Sequence, residues 1–334
     1  MRNNEVREQV CKAIKKWYYS NIEFLSLISA PYNSCSIFKN IILEIINNGG
    51  RILYLWGESF ENQKLIKIID DKKCNYIYFE NDGIGENNLI FSNYDNISEI
   101  NGKYDLVIFD DISSFSRIDK KQLEIITKSL IKNSNKIIIF SVDEIKINDN
   151  VKSITYIEDN KPFLEPRLIK TRVDLNNDMP TILLEYIRWF ISKKKKIVIY
   201  VPDEIKLSNV YEYYSKEIKS EIKHTKIIPI VRGEDKKTIK SVLMQKDVAT
   251  IIITNSINES LDNSNVGSGI VLFADDEEYT YKKLLYLCGK LGKINNELPE
   301  MVFVAKNISK DIDAVKNITR GYNKFKWEKK LLSL

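Results

Sequence analysis

A chain of 334 residues is long enough for two ordinary domains, and 43% hydrophobic with 29% charged residues excludes wholesale disorder. The chain has 51 Lys and Arg residues against 46 Asp and Glu, so its net charge of +5 permits a nucleic-acid partner without demanding one. The four cysteines are far apart and His224 is the one histidine, which excludes a CxxC zinc motif and histidine-rich metal chemistry. We therefore predict no zinc.

The sequence also bears on cellular location. No apolar segment follows Met1, so no signal peptide is visible. No apolar run approaches the roughly 20 residues that a membrane span needs. We predict a cytoplasmic protein without a membrane span.

In the first half of the chain, short apolar runs typical of buried strands alternate with amphipathic stretches typical of helices. An opening helix places Val6, Val10 and Trp17 on one face. The predicted strands are Phe24–Ala30, Ile52–Trp56, Tyr76–Phe79, Leu106–Phe109 and Lys136–Phe140. The predicted helices are Ser36–Asn48, Asn62–Asp70 and Lys120–Ile131. Strands separated by helices require crossover connections, which indicates a mostly parallel sheet.

The stretch Glu158–Pro166 interrupts this rhythm and is typical of a linker, after which the alternation restarts. The predicted strands are Ile197–Val201, Lys226–Ile230, Thr250–Thr254, Gly269–Phe273 and Met301–Val304. The predicted helices are Thr181–Ser192, Ser208–Ile218, Lys236–Met244, Tyr279–Lys290 and one from about Lys310 onward. We therefore predict an α/β protein of two tandem lobes, residues 1–160 and 161–334, each a mostly parallel sheet flanked by helices.

Ligands of open parallel sheets bind at the carboxyl ends of the strands. Asn33, Ser34, Cys35 and Ser36 follow the first strand, in the position of a phosphate-binding turn. A helix N-terminus there offers a positive dipole, and Ser36 offers a hydroxyl for Mg²⁺. A working turn also needs glycines and a lysine, and this one has neither. On local grounds an ordinary strand-to-helix turn is the stronger interpretation.

The strand Leu106–Phe109 ends in Asp110 and Asp111. Paired carboxylates at the end of a buried strand suit coordination of Mg²⁺, here by Asp110, and polarisation of a water. Many α/β proteins end a strand with Asp, so a purely structural role is an equal alternative. The next strand ends in Ser141-Val142-Asp143, which says little alone.

Two places in the second half have similar interest. Thr254, Asn255 and Ser256 end a strand in three polar groups suited to contacting phosphates, although this is also an ordinary way to begin a loop. Lys290 and Lys293 lie in a Gly-Lys-x-Gly-Lys run at the end of a helix. They are either cations at a cleft between the lobes or lysines that favour the helix C-terminus.

The order of these features resembles the motif order of superfamily-2 helicases. Three segments resemble the ComFA-like branch, the competence-associated DNA translocases: Glu165–Arg172, Ile197–Asp203, and Thr254–Asp275 followed by Tyr286–Lys293. The resemblance implies two RecA-like lobes of the P-loop NTPase fold. It implies ATP and Mg²⁺ at Asn33–Ser36 and Asp110, with Asp111, Lys290 and Lys293 as catalytic residues. It also implies DNA, in the leading interpretation single-stranded, in a groove spanning both lobes.

The sequence departs from the family's pattern at most of the ATP-handling motifs. Asp110-Asp111 stands where the family has Asp-Glu, Ser141-Val142-Asp143 replaces Ser/Thr-Ala-Thr, and Glu259-Ser260-Leu261 replaces Glu-Arg-Gly. Lys290 and Lys293 replace arginines, which keeps the charge but loses the bidentate fork. The zinc-binding cysteines that precede the motor in many ComFA-like proteins are absent. These departures indicate an eroded nucleotide site with little ATP hydrolysis.

The leading hypothesis is a helicase-like DNA-binding protein that contacts phosphates and not base edges, with DNA-uptake or repair proteins as partners. Thr254–Ser256 and a basic C-terminal segment would contribute. That segment contains Arg320, Tyr322, Lys324, Lys326, Trp327, Lys329 and Lys330, which together offer charge and stacking. A solvated terminal helix face is the simpler interpretation of this segment.

Two alternatives remain open. One is an active ATP-driven DNA translocase that tolerates these substitutions. The other is an adenosylmethionine-dependent methyltransferase, favoured by Gly57 after one strand and Glu80 after the next. The chain lacks the GxGxG loop that such an enzyme needs, and this alternative leaves the second lobe without a role.

Overall fold

The computed structural model describes residues 2–331 except 32, 34, 71–73, 80–86, 114, 148–149, 158–160, 193–195, 223–224, 232–240, 242–243, 245–247, 258–265 and 295–298. It describes the side chains of these residues except 2–4, 221 and 292–294. The chain divides into two compact units, lobe one (Met1–Asp159) and lobe two (Asn160–Leu334). His224 and most of the predicted helix Lys236–Met244 lie outside the described residues.

Lobe one is built on a sheet of seven strands. They are β1 Phe24–Ser29, β2 Ile52–Trp56, β3 Tyr76–Tyr78, β4 Leu89–Asn93, β5 Leu106–Asp110, β6 Ile137–Ser141 and β7 Val151–Tyr156. The order across the sheet is β3-β4-β2-β5-β6-β1-β7, and every pair is parallel. The helices are α1 Arg2–Tyr18, α2 Lys39–Asn47, α3 Gln63–Ile69 and α4 Lys120–Ser129. Short 3₁₀ turns lie at Cys35–Phe38, Tyr94–Asn96 and Leu130–Lys132.

The core of lobe one explains why its strands have such apolar sequences. Each residue of β2, β5 and β6 is buried, as expected for parallel strands covered on both faces by helices. Helix α2 buries Ile41, Ile42, Ile45 and Ile46, a stripe at helical spacing. The sheet therefore presents a rigid row of strand ends, and the loops at those ends carry the candidate site.

Lobe two is a second parallel sheet, of six strands. They are β8 Arg167–Lys170, β9 Lys196–Tyr200, β10 Lys226–Ile230, β11 Thr250–Thr254, β12 Val266–Val271 and β13 Glu300–Ala305, in the order β10-β11-β9-β12-β13-β8. The helices are α5 Thr181–Ser192, α6 Glu204–Tyr213, α7 Lys219–Glu221, α8 Tyr281–Ile294 and α9 Lys310–Glu328, with a π turn at Tyr214–Ile218 between α6 and α7. The predicted fold class, two parallel α/β sheets flanked by helices, is confirmed.

Individual elements differ from the prediction in informative ways. The predicted bounds of β2, β10 and β11 are correct, whereas β4, β7 and β8 were not predicted. The helix expected from Ser36 begins at Lys39, after the 3₁₀ turn. Among the helices described, none combines the length and apolar character needed to cross a membrane.

Candidate nucleotide and nucleic-acid sites

Three of the predicted groups meet at one edge of lobe one. Strand β1 lies between β6 and β7, and β5 lies on the other side of β6. Because the strands are parallel, the turn after β1, Asp110 at the end of β5 and Ser141 at the end of β6 lie along the same carboxyl edge. This edge is the candidate nucleotide site.

Asn33 fixes the turn after β1. Its backbone N–H donates to the Ala30 carbonyl at 3.0 Å. Its buried side-chain Nδ2 donates to Ser29 Oγ at 3.0 Å and to the Tyr156 carbonyl at 2.9 Å. The Asn33 amide therefore ties the turn to the end of β7, where a phosphate-binding turn would direct N–H groups towards a ligand. Ser34 lies outside the described residues.

Cys35 follows as a buried thiol. Its burial raises the pKa to about 12, and the nearby Asp110 charge acts in the same direction. The thiol is therefore protonated at neutral pH and brings no charge to the edge. The hydroxyl of Tyr54, from the middle of β2, contacts it. Asn33 and Cys35 thus have packing roles in the described structure.

Asp110 is completely buried and surrounded by donors. Its Oδ1 accepts from the backbone N–H groups of Ile112 at 3.0 Å and Ser113 at 2.9 Å. Its Oδ2 accepts from the hydroxyls of Tyr54 and Ser113. Burial raises the pKa of Asp110 above its usual range, although these donors oppose the shift. Four donors occupy the carboxylate directions that a metal ion would use.

The other predicted groups at this edge are also engaged. Asp111 is buried, its Oδ1 accepts from Ser116 Oγ, and its N–H donates to the Phe140 carbonyl at 3.0 Å. Ser36 is partly exposed, and its carbonyl accepts from Arg7 Nη2 at 3.3 Å. Among the residues that the structure describes, no cluster of three or more His, Cys, Asp or Glu side chains could hold a metal ion. The donor set does not fit Mg²⁺.

In lobe two, two of the three polar residues at the end of β11 are buried. Thr254 is fully buried, and its Oγ1 accepts from the Ser256 N–H at 3.1 Å. The Thr254 carbonyl accepts from the Val201 N–H at 2.9 Å. Ser256 is buried, whereas Asn255 is partly exposed. Thr254 thus shapes the turn, and Asn255 is the member of the three that reaches the surface.

The ends of β9 and β12 carry an ion-pair network that was not predicted. Asp203 is the N-cap of α6 and accepts from Lys206 Nζ at 2.6 Å, and the same Nζ lies 3.2 Å from Asp276 Oδ2. Lys206 also lies over the Phe273 ring. Two carboxylates around one ammonium leave a net negative charge here, so this part of the edge does not attract phosphate.

The lysines of α8 are partly described. Lys290 is half-buried, and its Nζ lies 5.5 Å from the centre of the Tyr286 ring. The side chain of Lys293 and residues 259–261 lie outside the described residues. The assignments of Lys290 and Lys293 as catalytic groups stay predictions.

The structure corrects two assignments in the basic C-terminal segment. Lys326 is 1% exposed and its Nζ donates to the Lys161 carbonyl at 2.6 Å, so this lysine cannot meet a nucleic acid. Tyr322 is also buried, against Phe163. Lys324 and Trp327 are exposed. The spacing of the lysines did not show which face of α9 packs on the lobe.

Two partners of Asp110 were missed in the sequence. Ser113 is next to Ile112, whose N–H bonds to Asp110 Oδ1 at the two-residue spacing of an Asx turn, and this signal was available. Tyr54 lies in the middle of a buried strand, where its hydroxyl needs a partner, but nothing in the sequence says which. Strand pairing supplies the answer, because Tyr54 lies opposite Ile108, two residues before Asp110.

Comparison with known proteins gives the fold. No family model and no curated protein sequence matches the chain. Among solved structures, it is similar to the DExH-box NTPase HrpB of E. coli, with TM-score 0.58 and 13% identity over 90% of this chain and 41% of that chain. A second HrpB structure gives TM-score 0.55 and 12% identity, and the match covers 90% of this chain and 43% of that chain. The structure of the helicase MrfA bound to DNA gives TM-score 0.52 and 11% identity, and the match covers 95% of this chain and 51% of that chain.

These structures are similar in fold to this chain at low sequence identity. The chain spans about half or less of their length, between 41% and 51%. The chain therefore has the fold of two tandem RecA-like lobes.

Proposed function

We propose that this chain is a helicase-like DNA-binding protein related to the ATP-dependent DNA translocases of competence, with a nucleotide site that has lost most of its ATPase activity. The fold supports the helicase-like part, since one neighbour in fold is a helicase bound to DNA. The competence-associated branch rests on the sequence segments quoted above.

The observation that carries the loss of ATPase activity is the state of Asp110. Its two oxygens accept four hydrogen bonds from within lobe one, and its side chain is completely buried. Coordinating Mg²⁺ would mean breaking hydrogen bonds to a buried carboxylate, each worth about 1.5–3 kcal/mol. The closed Asn33 turn supports the same conclusion, because it presents no lysine to the phosphate chain.

An ATPase assay with and without single-stranded DNA tests this proposal. We expect turnover that DNA does not stimulate. Two variants, Asp111→Ala and Lys290→Ala, identify contaminating activity, since neither should change a rate that does not come from this site. Robust DNA-stimulated turnover that both variants abolish would establish the active translocase instead.

DNA binding is the second part of the proposal. Contacts to phosphate release counterions, so binding should weaken steeply as salt rises, and it should not require ATP. Asn255, Lys324, Lys329 and Lys330 are the exposed or partly exposed candidates. A titration of labelled single-stranded DNA at several salt concentrations measures this. Absence of binding even at low salt would show that the fold serves a different partner.

The methyltransferase alternative has little support. The carbonyl of Gly57 accepts from Asn93 Nδ2 at 3.3 Å, and Glu80 lies outside the described residues. The helicase fold accounts for both lobes, which the methyltransferase hypothesis did not.

A further inference from the structure

The edge strand β8 differs from the other edge strands. Its register pairs Arg167 to Lys170 with Val302 to Ala305 of β13, and its other edge meets no strand in the described part of the chain. At the remaining edges, β3 has three residues, β10 contains Pro229, and α1 packs against β7. Short strands, proline and covering helices all prevent strand addition. Strand β8 contains no proline, and no helix is described against it as α1 is against β7.

One face of β8 lies beside an exposed flank of α5. Ile169 is buried in the core that Leu183 and Phe190 of α5 also form. Arg167, on the same face of the strand, donates from Nη1 to the Tyr186 hydroxyl at 3.2 Å. The flank of α5 that carries Tyr186 is therefore next to the strand edge.

That flank is apolar and exposed. Ile182 precedes Tyr186 by four residues and Trp189 follows it by three, so the three side chains lie in one row. Ile182 is 55% exposed and Trp189 is 47% exposed. A row of large apolar side chains along an unpaired strand edge is a larger feature than a single exposed residue.

The other face of β8 carries uncompensated positive charge. By alternation, Leu168 and Lys170 point away from α5, and Arg172 follows just beyond the strand. The nearby carboxylates are already paired, Glu300 with Arg167 at 3.0 Å and Glu165 with Arg320 at 2.7 Å. Lys170 and Arg172 are exposed and form no ion pair within the described ranges.

We propose that β8 and the α5 row (Ile182, Tyr186, Trp189) form a docking surface for an extended segment of a partner protein, in which apolar residues alternate with acidic ones. The segment adds to the sheet as a strand beside β8, and its backbone hydrogen bonds supply affinity. Its apolar side chains cover the α5 row, and its carboxylates meet Lys170 and Arg172.

A defined peptide tests the proposal with the full chain. The probe is a fluorescein-labelled peptide of about eight residues, an ordinary strand length, that alternates valine and glutamate. We expect saturable binding by fluorescence anisotropy. A peptide that alternates valine and lysine should not bind, since it brings like charge to Lys170 and Arg172.

Variants of the protein separate the two halves of the surface. The double variant Ile182→Ser/Trp189→Ser should weaken binding at least about tenfold, because it removes the apolar anchors. The matched control Ile125→Ser/Ile205→Ser changes two exposed isoleucines on other helices, α4 and α6, and should leave affinity within about twofold. The double variant Lys170→Glu/Arg172→Glu should bind the valine–lysine peptide more tightly than the valine–glutamate peptide, because the charge of the surface is reversed.

Methylated peptides test the strand geometry. Successive N–H groups of a strand point to opposite edges, so methylating the valine nitrogens and methylating the glutamate nitrogens block different edges. One methylated peptide should keep its affinity and the other should lose it. Equal effects of both would overturn strand addition.

Two further outcomes would overturn the proposal. One is no binding of the valine–glutamate peptide at any concentration, which would make Arg167 and Lys170 protective charges on a closed edge. The other is displacement of the peptide by single-stranded DNA together with loss of DNA binding in Lys170→Glu/Arg172→Glu, which would make this surface a nucleic-acid contact. Neither outcome depends on whether the chain hydrolyses ATP.

Discussion

Tyr54 shows how one side chain converts a strand-end carboxylate from a ligand site into a structural one. Its hydroxyl donates to Asp110 inside a core where both residues are completely buried. A hydrogen bond to a carboxylate in such a place is expensive to lose. The pair holds the end of β5 against β2, and Ser113 completes the arrangement from the following turn.

We predict that Tyr54→Phe lowers the free energy of unfolding by about 1.5–3 kcal/mol, because Asp110 loses one donor and gains none. Tyr19→Phe is the matched control: its hydroxyl bonds to Glu44 at the surface, so it should cost less than about 0.5 kcal/mol. Urea unfolding followed by tryptophan fluorescence suits this measurement, since Trp17 and Trp56 are the buried tryptophans and both belong to lobe one. Equal effects of the two variants would contradict the assignment.

The burial of Asp110 should make the free energy of unfolding depend on pH. Its folded-state pKa is raised by burial, so the folded protein holds this proton at a pH where the unfolded chain has released it. The free energy of unfolding should therefore fall as pH rises through the folded pKa of Asp110. Tyr54→Phe removes a donor that opposes the shift, so the fall should extend to higher pH than in the unmodified protein. Stability curves that coincide in shape would refute this.

At the scale of elements, α9 has two different faces. Lys326 lies on the packed face and its Nζ donates to the Lys161 carbonyl, whereas Lys324 is exposed and its Nζ lies 3.9 Å from Glu328 Oε1. The two lysines are two residues apart, which places them on different sides of the helix. Counting all lysines and arginines of the C-terminal segment therefore overstates the positive charge available to a nucleic acid.

We predict reciprocal effects for these two lysines. Lys324→Ala should reduce the salt dependence of single-stranded DNA binding by about 0.7 in log–log slope and leave stability within about 0.5 kcal/mol. Lys326→Ala should leave that slope unchanged and lower stability by about 1–3 kcal/mol, through lost packing and an unsatisfied carbonyl. Titration and urea unfolding of both variants give the comparison. A reduced slope in Lys326→Ala would show that its ammonium reaches DNA.

The elements also show how far sequence reasoning extends. Strands β2, β10 and β11 were predicted with correct bounds because apolar runs ended by polar residues have few other interpretations. Strand β7 is half-buried and mixes Lys152 and Ser153 with apolar residues, and β8 has four residues with charges at both ends. Neither has a distinct period, and pairing with a neighbouring strand is what defines them.

The site was predictable to the same degree. The position of Asp110 at a carboxyl edge followed from the apolar run before it. Its hydrogen bonds did not, because Tyr54 is distant in sequence and reaches Asp110 only after β2 and β5 pair. Likewise, Asn33 meets the Tyr156 carbonyl across more than a hundred residues of sequence. The residues that close the site are visible only in three dimensions.

For the whole molecule, we predict that ATP barely stabilises the fold. At about 1 mM ATP with Mg²⁺, the free energy of unfolding should rise by less than about 0.5 kcal/mol, whereas a site occupied at a hundred times its Kd would add about 2.7 kcal/mol. Urea unfolding with ATP, and with a matching concentration of inorganic phosphate as the control for ionic strength, measures this. A rise of the larger size would show that the Asn33 turn opens for nucleotide.

The place of β1 within its sheet has a consequence for synthesis on the ribosome. Phe24 of β1 pairs with Ile137 of β6 and Val151 of β7. Strand β1 is synthesised before every other strand of lobe one, and it therefore cannot pair until β6 and β7 have been synthesised. At translation rates of about 5–20 residues per second, that interval is on the order of ten seconds. Throughout it, the uncharged sequence Phe-Leu-Ser-Leu-Ile-Ser has no partner strand in its own lobe and is open to other nascent chains. A chaperone that binds Phe24–Ser29 during synthesis should therefore raise the yield of this protein more than one that acts after release.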